Sequence, residues 1–266
     1  MSDCTTAVVL AGGSGTRMRR ASAAELDPAQ RAMAELGVKA MIPDARGRPL
    51  LDHILSSLAD AGVVDACLVL GATGGVVREH YALVPPRRLR LGYATQPEPR
   101  GTADALLAAE HWVAGRGILV LNADNLYPVE ALRALVTLDG PGLVAFDRDA
   151  LIRESNIEAE RIGTFAVVEL GPDDTLTGIT EKPGTVSHPA WISMNLWRFG
   201  PEIFDACRAV LPSPRGELEL PHAVALALHH GMRLHAVRMH AGVLDLSRRG
   251  DVADVARRLA DRDIAP

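Results

Sequence analysis

The residues best placed to do chemistry begin where a first apolar run ends. Residues 6–10 lead directly into Ala11-Gly12-Gly13-Ser14-Gly15-Thr16-Arg17. A glycine-rich turn at the end of a buried strand lets backbone N–H groups approach a phosphate closely, and Arg17 adds a planar cation that can hold two phosphate oxygens at once. The turn is not a dinucleotide-binding one. That pattern wants G-x-G-x-x-G, whereas Met18 stands three residues after Gly15, and the second apolar run ends in Leu70-Gly71 without an acidic residue for a ribose. No Gly-Lys-Ser/Thr follows either, so it is not a Walker loop. A plain βα turn is the alternative to phosphate binding.

Charge usage singles out two further positions. Of 28 Lys and Arg residues, only Lys39 and Lys182 are lysines. A chain that writes almost all positive charge as arginine keeps lysine where a compact ammonium is required, unless the two are chance survivors. Asp124 lies at the end of the apolar run 117–121, where α/β folds place ligand sites, and Asp245 follows another strand-like run, 233–239. Two carboxylates meeting there would hold Mg²⁺ through oxygen, with phosphates and water completing the octahedron. A turn aspartate at 124 and a helix cap near Asp251 are the structural alternatives. The C-terminal histidines, 222, 229, 230, 235 and 240, include no pair at the i, i+4 helix spacing of a metal motif, and Ser213 and Cys207 have no nucleophile context.

These side chains need a scaffold that brings strand ends together. Short apolar runs at 6–10, 66–70, 89–94, 117–121 and 143–146 alternate with helical segments at 49–61, 75–83, 102–113 and 128–138. That alternation marks an α/β fold, and the uniformly apolar runs read as buried, mostly parallel strands. After residue 147 the strand-like runs 164–170, 176–180, 192–199 and 233–239 come with fewer helices, and Gly171-Pro172-Asp173-Asp174 reads as an antiparallel turn. The fold expected is a Rossmann-like three-layer α/β/α sandwich around a mixed, mostly parallel sheet. One domain spans 1–266, with a nucleotide-binding half to about 147, a substrate half to about 245 and a C-terminal helix over 246–266. The Ala-rich stretch 21–34 reads as an inserted helix broken at Pro28, part of a mobile lid over 18–37.

The motifs together resemble the sugar-1-phosphate nucleotidyltransferase family. Leu10 to Met18 followed by Val38 to Pro43 resembles its G-G-x-G-T-R … K-P-x-x-P signature. Gln96 to Ala105 resembles Q-x-x-x-x-G-T-A, and Val120 to Asn125 resembles V-x-x-G-D. Glu181-Lys182-Pro183 resembles E-K-P, Ser193 to Phe199 resembles S-M-G-I-Y-x-F, and Gly242 to Asp245 resembles W-x-D. Six motifs in the family's order are a specific match, and both lysines fall on them. The resemblance implies that Arg17 and Lys39 contact the nucleotide phosphates as the catalytic cations. It implies that Leu10, Ala11, Gly12, Gly13, Gly15, Gln96, Gly101 and Thr102 bind the nucleotide, with Gln96 at a base edge; a surface loop glutamine is the competing reading. Glu181, Lys182, Ser193 and Asn195 would take the sugar phosphate, and Asp124 and Asp245 the Mg²⁺.

The departures fall mostly on the sugar half. Twenty-one residues separate Arg17 from Lys39, Ala40 replaces a proline, Phe165-Ala166 stands for Tyr-Gly, Asn195 for glycine, and the tryptophan of W-x-D is missing. No hexapeptide-repeat helix is read in the chain, so acetyltransferase activity seated on one is not expected. The reaction implied is NTP plus sugar-1-phosphate giving NDP-sugar and pyrophosphate. Its nucleophile is already ionised, so the lack of a Ser-His-Asp set counts for nothing against it. The rivals are a glycosyltransferase of related fold, which would want Asp-x-Asp where Asp124-Asn125-Leu126 stands, and a non-catalytic sugar-nucleotide sensor. Gln96 suits uracil or thymine, whereas Gly101 to Ala105 and Ser193-Met194 resemble adenylyltransferases. A net charge of −5 and ten aromatic residues argue against a nucleic-acid partner, and no apolar run is long enough for a membrane span. Three scattered cysteines point to a reducing cytoplasm, and a homo-oligomer is left open.

Overall fold

A computed structural model describes residues 4–20 and 24–266. Strand β1 (Thr6–Ala11) is almost wholly buried because both of its faces are covered. Ala7 and Val9 point into one apolar cluster, Val8 and Leu10 into another. That alternation makes β1 the middle layer of a three-layer sandwich.

From β1 the chain runs through α1 (Thr16–Arg19), α2 (Pro28–Leu36), a 3₁₀ turn (Lys39–Met41) and α3 (Leu50–Asp60) to β2 (Asp65–Leu70). Helix α4 (Gly75–Leu83) leads to β3 (Arg90–Thr95), and α5 (Thr102–Ala108) and α6 (Glu110–Val113) lead to β4 (Ile118–Asn122). Next come the short β5 (Asn125–Leu126), α7 (Val129–Thr137), β6 (Gly142–Asp147), α8 (Arg148–Glu154) and a 3₁₀ turn (Ala159–Thr164). The antiparallel section is β7 (Ala166–Leu170), β8 (Leu176–Thr180) and β9 (Trp191–Phe199). Helices α9 (Ile203–Ala209) and α10 (Leu220–His229), β10 (His235–Met239), β11 (Leu244–Asp245) and α11 (Val252–Leu259) complete it.

Strand order in the main sheet is β10-β6-β9-β4-β1-β2-β3, with β7 and β8 branching from β9. Parallel pairs join β3, β2, β1 and β4, and also β6 to β10, while β9 runs antiparallel between β4 and β6. The fold is therefore the mixed, mostly parallel three-layer sandwich expected, and one sheet runs through both halves. Strand β9 also forks. Residues 191–193 pair with β7, whereas 197–199 pair with β4. Between the two sets Asn195 adopts φ = 57°, a left-handed conformation that asparagine tolerates better than most residues. That is the position where the family resemblance favours glycine.

Several local expectations need correction. The helix read over 102–113 breaks at Ala109 into α5 and α6. The strand read from 164 starts at Ala166, after a 3₁₀ turn. Pro28 does not break a helix but opens α2, with Asp27 and Gln30 forming a reciprocal cap; a missing N–H costs nothing in a first turn. Residues 21–23 of the Ala-rich stretch lie outside those described. The C-terminal helix is shorter than 246–266, covering Val252–Leu259. The Gly171–Asp174 turn does join β7 to β8, with Gly171 N–H donating to the Thr175 carbonyl at 2.8 Å. Among the described residues no helix is long and apolar enough to cross a membrane.

Candidate active site

The C-terminal ends of β1 and β4 open onto a cleft of about 450 Å³. Every residue singled out from the sequence lines it: Leu10 to Gly13, Gly15, Arg17, Lys39, Gln96, Gly101, Thr102, Asp124, Glu181, Lys182, Ser193, Asn195 and Asp245. A second hollow, beside Arg198 and Arg233, contains none of them. The chemistry-bearing residues are gathered in the first of these.

Its floor is shaped by backbone. Gly15 sits at φ = 60° at the start of α1, and a Cβ there would lie 2.2 Å from the Gly37 carbonyl oxygen. Only glycine lets the turn close on the end of α2. Gly101 is held as tightly at φ = 124°, against the backbone of Leu218. Thr102 Oγ1 accepts the Leu220 N–H at 2.8 Å, which ties α5 to α10 and leaves the hydroxyl proton to donate.

Lys39 enters from the 3₁₀ turn and donates to Asp124 Oδ2 at 2.8 Å, with 22% and 26% of the two side chains exposed. Burial works against the ammonium, but Asp124, by charge and hydrogen bond, and then Asp245 outweigh it and hold the Lys39 pKa above its ordinary value. Arg17 is exposed and its charge opposes that of Lys39. Lys39, paired with Asp124, and the exposed Arg17 both line the cleft, and cations gathered there suit an anionic ligand.

Asp245 reaches the same place by another route. Strand β11 pairs antiparallel with β5, setting Asp245 opposite Asn125, and Leu246 N–H donates to the Asp124 carbonyl at 2.8 Å. The Asp245 side chain is 3% exposed. Asn125 Nδ2 and Ser247 Oγ donate to its Oδ1, each at 3.0 Å, and Arg161 donates to its Oδ2. Burial, followed by the charge of Asp124, raises its pKa despite Arg161. The two carboxylates thus repel one another, and hard oxygen donors in that relation fit a divalent cation such as Mg²⁺. No third His, Cys, Asp or Glu joins them as a cluster among the described residues.

Across the cleft, Lys182 holds φ = 48°, a strained conformation of the kind found at ligand sites. Its Nζ lies 3.0 Å from Glu181 Oε1 and 3.4 Å from Glu219 Oε1. Arg215, which the sequence reading passed over, pairs with Glu219 and stands 3.8 Å from Glu181. The signal available was the spacing in Arg215-Gly216-Glu217-Leu218-Glu219, an arginine four residues from a carboxylate beside a helix start. On β9, Ser193 Oγ accepts from Asn195 N–H at 3.3 Å, and Asn195 Oδ1 accepts from Trp197 Nε1 at 3.3 Å. The histidines assemble nothing here, and the three cysteines are buried thiols; Cys67 and Cys207 are pushed up to about 11 and about 12 by burial.

A cleft lined by a glycine-rich turn, two carboxylates and several cations is the equipment of phosphoryl-group chemistry. Comparison with known proteins agrees. Residues 6–255 match the family model described as nucleotidyl transferase, and the chain belongs to that family. It is 29% identical to a glucose-1-phosphate thymidylyltransferase of Streptomyces antibioticus, over 98% of this chain and 67% of the relative. It is 30% identical to a UTP–glucose-1-phosphate uridylyltransferase of Haloferax volcanii, over 96% of both. A UDP-glucose pyrophosphorylase solved with UDP-glucose shares the fold at a TM-score of 0.77 and 14% identity, over 98% of this chain and 100% of that one. An inositol-1-phosphate CTP transferase from T. maritima superposes at 0.74 with 16% identity, over 97% and 96%. The chain is thus an enzyme of the sugar-1-phosphate nucleotidyltransferase class, joining the nucleotidyl group of an NTP to a sugar-1-phosphate with release of pyrophosphate.

Proposed function

We propose that the NTP is a pyrimidine nucleotide, UTP or dTTP, that the acceptor is a hexose-1-phosphate, and that the reaction needs Mg²⁺. The observation that carries this reading is the gathering of four cations, Arg17, Lys39, Lys182 and Arg215, with Asp124 and Asp245 in the lining of one cleft. Arg17 and Lys39 come from the segments around the glycine turn, and Lys182 and Arg215 meet at Glu181 and Glu219. The choice of base and sugar draws on the thymidylyl- and uridylyltransferase relatives.

An ionised phosphate oxygen of the sugar-1-phosphate attacks the α-phosphorus, a new P–O bond forms, and the bond to the bridging oxygen breaks as pyrophosphate leaves. No general base is required. Lys182 and Arg215 bring the acceptor phosphate up to a second anion, and Lys39 and Arg17 neutralise the triphosphate. Glu181 and Asn195 are left for sugar hydroxyls. Asp124 and Asp245 would hold Mg²⁺, which when bound neutralises charge on the phosphates. Three free, buried cysteines suit a reducing compartment such as the cytoplasm. Pyrophosphate release, measured for the common NTPs against a panel of sugar-1-phosphates, tests the reading. The expected outcome is turnover with UTP or dTTP and a hexose-1-phosphate; turnover confined to purine nucleotides would overturn the assignment of the base.

A further inference from the structure

Asp104, in the first turn of α5, is buried behind Gln96, which lines the cleft. Its Oδ2 accepts a hydrogen bond from Gln96 Nε2 at 2.8 Å, and the same nitrogen donates to the Gly101 carbonyl at 3.0 Å. A carboxylate without a proton and a carbonyl only accept, so the amide nitrogen must face them. Gln96 Oε1 is left on the other side, close above Gly12, where a Cβ on that glycine would stand 3.1 Å away. Gly12 is part of the cleft surface. Both N–H donors of the glutamine are therefore used inside the protein, and what remains for a ligand is an acceptor. Asp104 is itself anchored, its Oδ1 accepting from Arg100 Nη2 at 2.5 Å.

We propose that Asp104 is a positioning residue for base recognition, fixing the Gln96 amide with its oxygen toward the nucleobase so that the site selects a base presenting an N–H there. For uracil or thymine that group is N3–H. The proposal rests on the reading that Gln96 meets the base. A free glutamine would be ambiguous, since turning its amide over exchanges donor for acceptor. With the amide locked, a base lacking the N–H leaves a buried oxygen unpaired, a mismatch that costs about tenfold to a hundredfold in kcat/KM.

The test compares UTP with N3-methyl-UTP in pyrophosphate release. The wild-type enzyme should disfavour the methylated nucleotide at least about tenfold. In Asp104→Asn the new amide can donate to Gln96 and let it turn. KM for UTP should rise about tenfold, discrimination should fall toward unity, and KM for the sugar phosphate should stay within about twofold. Asp104→Glu keeps an acceptor-only partner and should restore much of the discrimination. Gln96→Leu separates the two ideas. If it raises KM for UTP while Asp104→Asn keeps full discrimination, the positioning role is overturned and the reading of Gln96 stands. If Gln96→Leu changes neither KM nor discrimination, both fall. Should Asp104→Asn fail to fold, side-chain amide exchange by NMR on the wild-type enzyme decides. Protected Gln96 amide hydrogens support the lock, and exchange at the rate of free glutamine overturns it.

Discussion

On the side of the cleft assigned to the nucleotide, Lys39 is matched to one carboxylate, Asp124, and the lining includes the glycines of the turn, Gly12, Gly13 and Gly15, with Gly37 and Gly101. On the side assigned to the sugar phosphate, Lys182 and Arg215 share Glu181 and Glu219. The difference follows from topology. Parallel strands end together and can offer a row of N–H groups at one edge, whereas antiparallel β7, β8 and β9 present side chains. Backbone grips depend on shape and are tolerant of side-chain change. Shared ion pairs must exchange partners when a phosphate arrives, so they should be sensitive to which cation is used.

The carboxylates between the two sides offer the hardest test of the comparison. Asp124→Asn removes one of two like charges and weakens the hold on Lys39, so turnover should fall about 10²–10³-fold. Titrating turnover with Mg²⁺ should show a higher metal requirement, while melting shows the variant still folded. An unchanged Mg²⁺ requirement in a folded variant would remove Asp124 from the metal site.

Exchange of each lysine for arginine tests the two sides separately. Both substitutions keep the charge, and each should lose at least about tenfold in kcat/KM because a guanidinium is wider and its donors are forked. Lys182→Arg should act on KM for the sugar phosphate, and Lys39→Arg on kcat or the NTP. The side chains are only 30% and 22% exposed, so neither is a plain surface lysine. Lys39→Arg should also lower the melting temperature, since the larger group must fit between Asp124 and its buried surroundings. Identical kinetics in both variants would mean that the two sides handle charge alike.

How much of this was legible in the sequence depended on whether a signal was local. The glycine turn, Asp124 at a strand end and the two lysines each declared themselves by type and position. Arg215 and Glu219 sit between α9 and α10, where no periodicity orders the chain. Arg161 is 84 residues from Asp245, and a sequence offers nothing to pair them. The place of β9 between β4 and β6 is likewise a non-local pairing, invisible to alternation patterns. Asp104 was read as one residue of a helix, although its meaning lies in the neighbour eight positions back.

The smallest expected effect concerns the support beneath the nucleotide side rather than the site itself. Following the 3₁₀ turn that carries Lys39, Asp44 accepts from Arg48 Nε at 2.8 Å and lies 3.0 Å from Nε2 of the fully buried His53 on α3. Burial depresses the His53 pKa below its ordinary 6.5, outweighing the pull of Asp44. Burial alone would raise Asp44, but its hydrogen bonds from Arg48, Arg46 and His53 carry it below its ordinary 3.8. Both groups therefore bind fewer protons folded than unfolded, so their contribution is complete at neutral pH and disappears as pH falls. His53 acts first, from 6.5 downward through its folded value, and Asp44 only below 3.8. Between pH 7 and 5 the melting temperature should fall by a few degrees at most, since about 1 kcal/mol moves a domain of this size by roughly 2–4 °C. His53→Gln keeps an N–H for Asp44 but cannot titrate, so its melting curve should be flatter than the wild type over that interval. Equal slopes in the two proteins would show that His53 is not the group responsible.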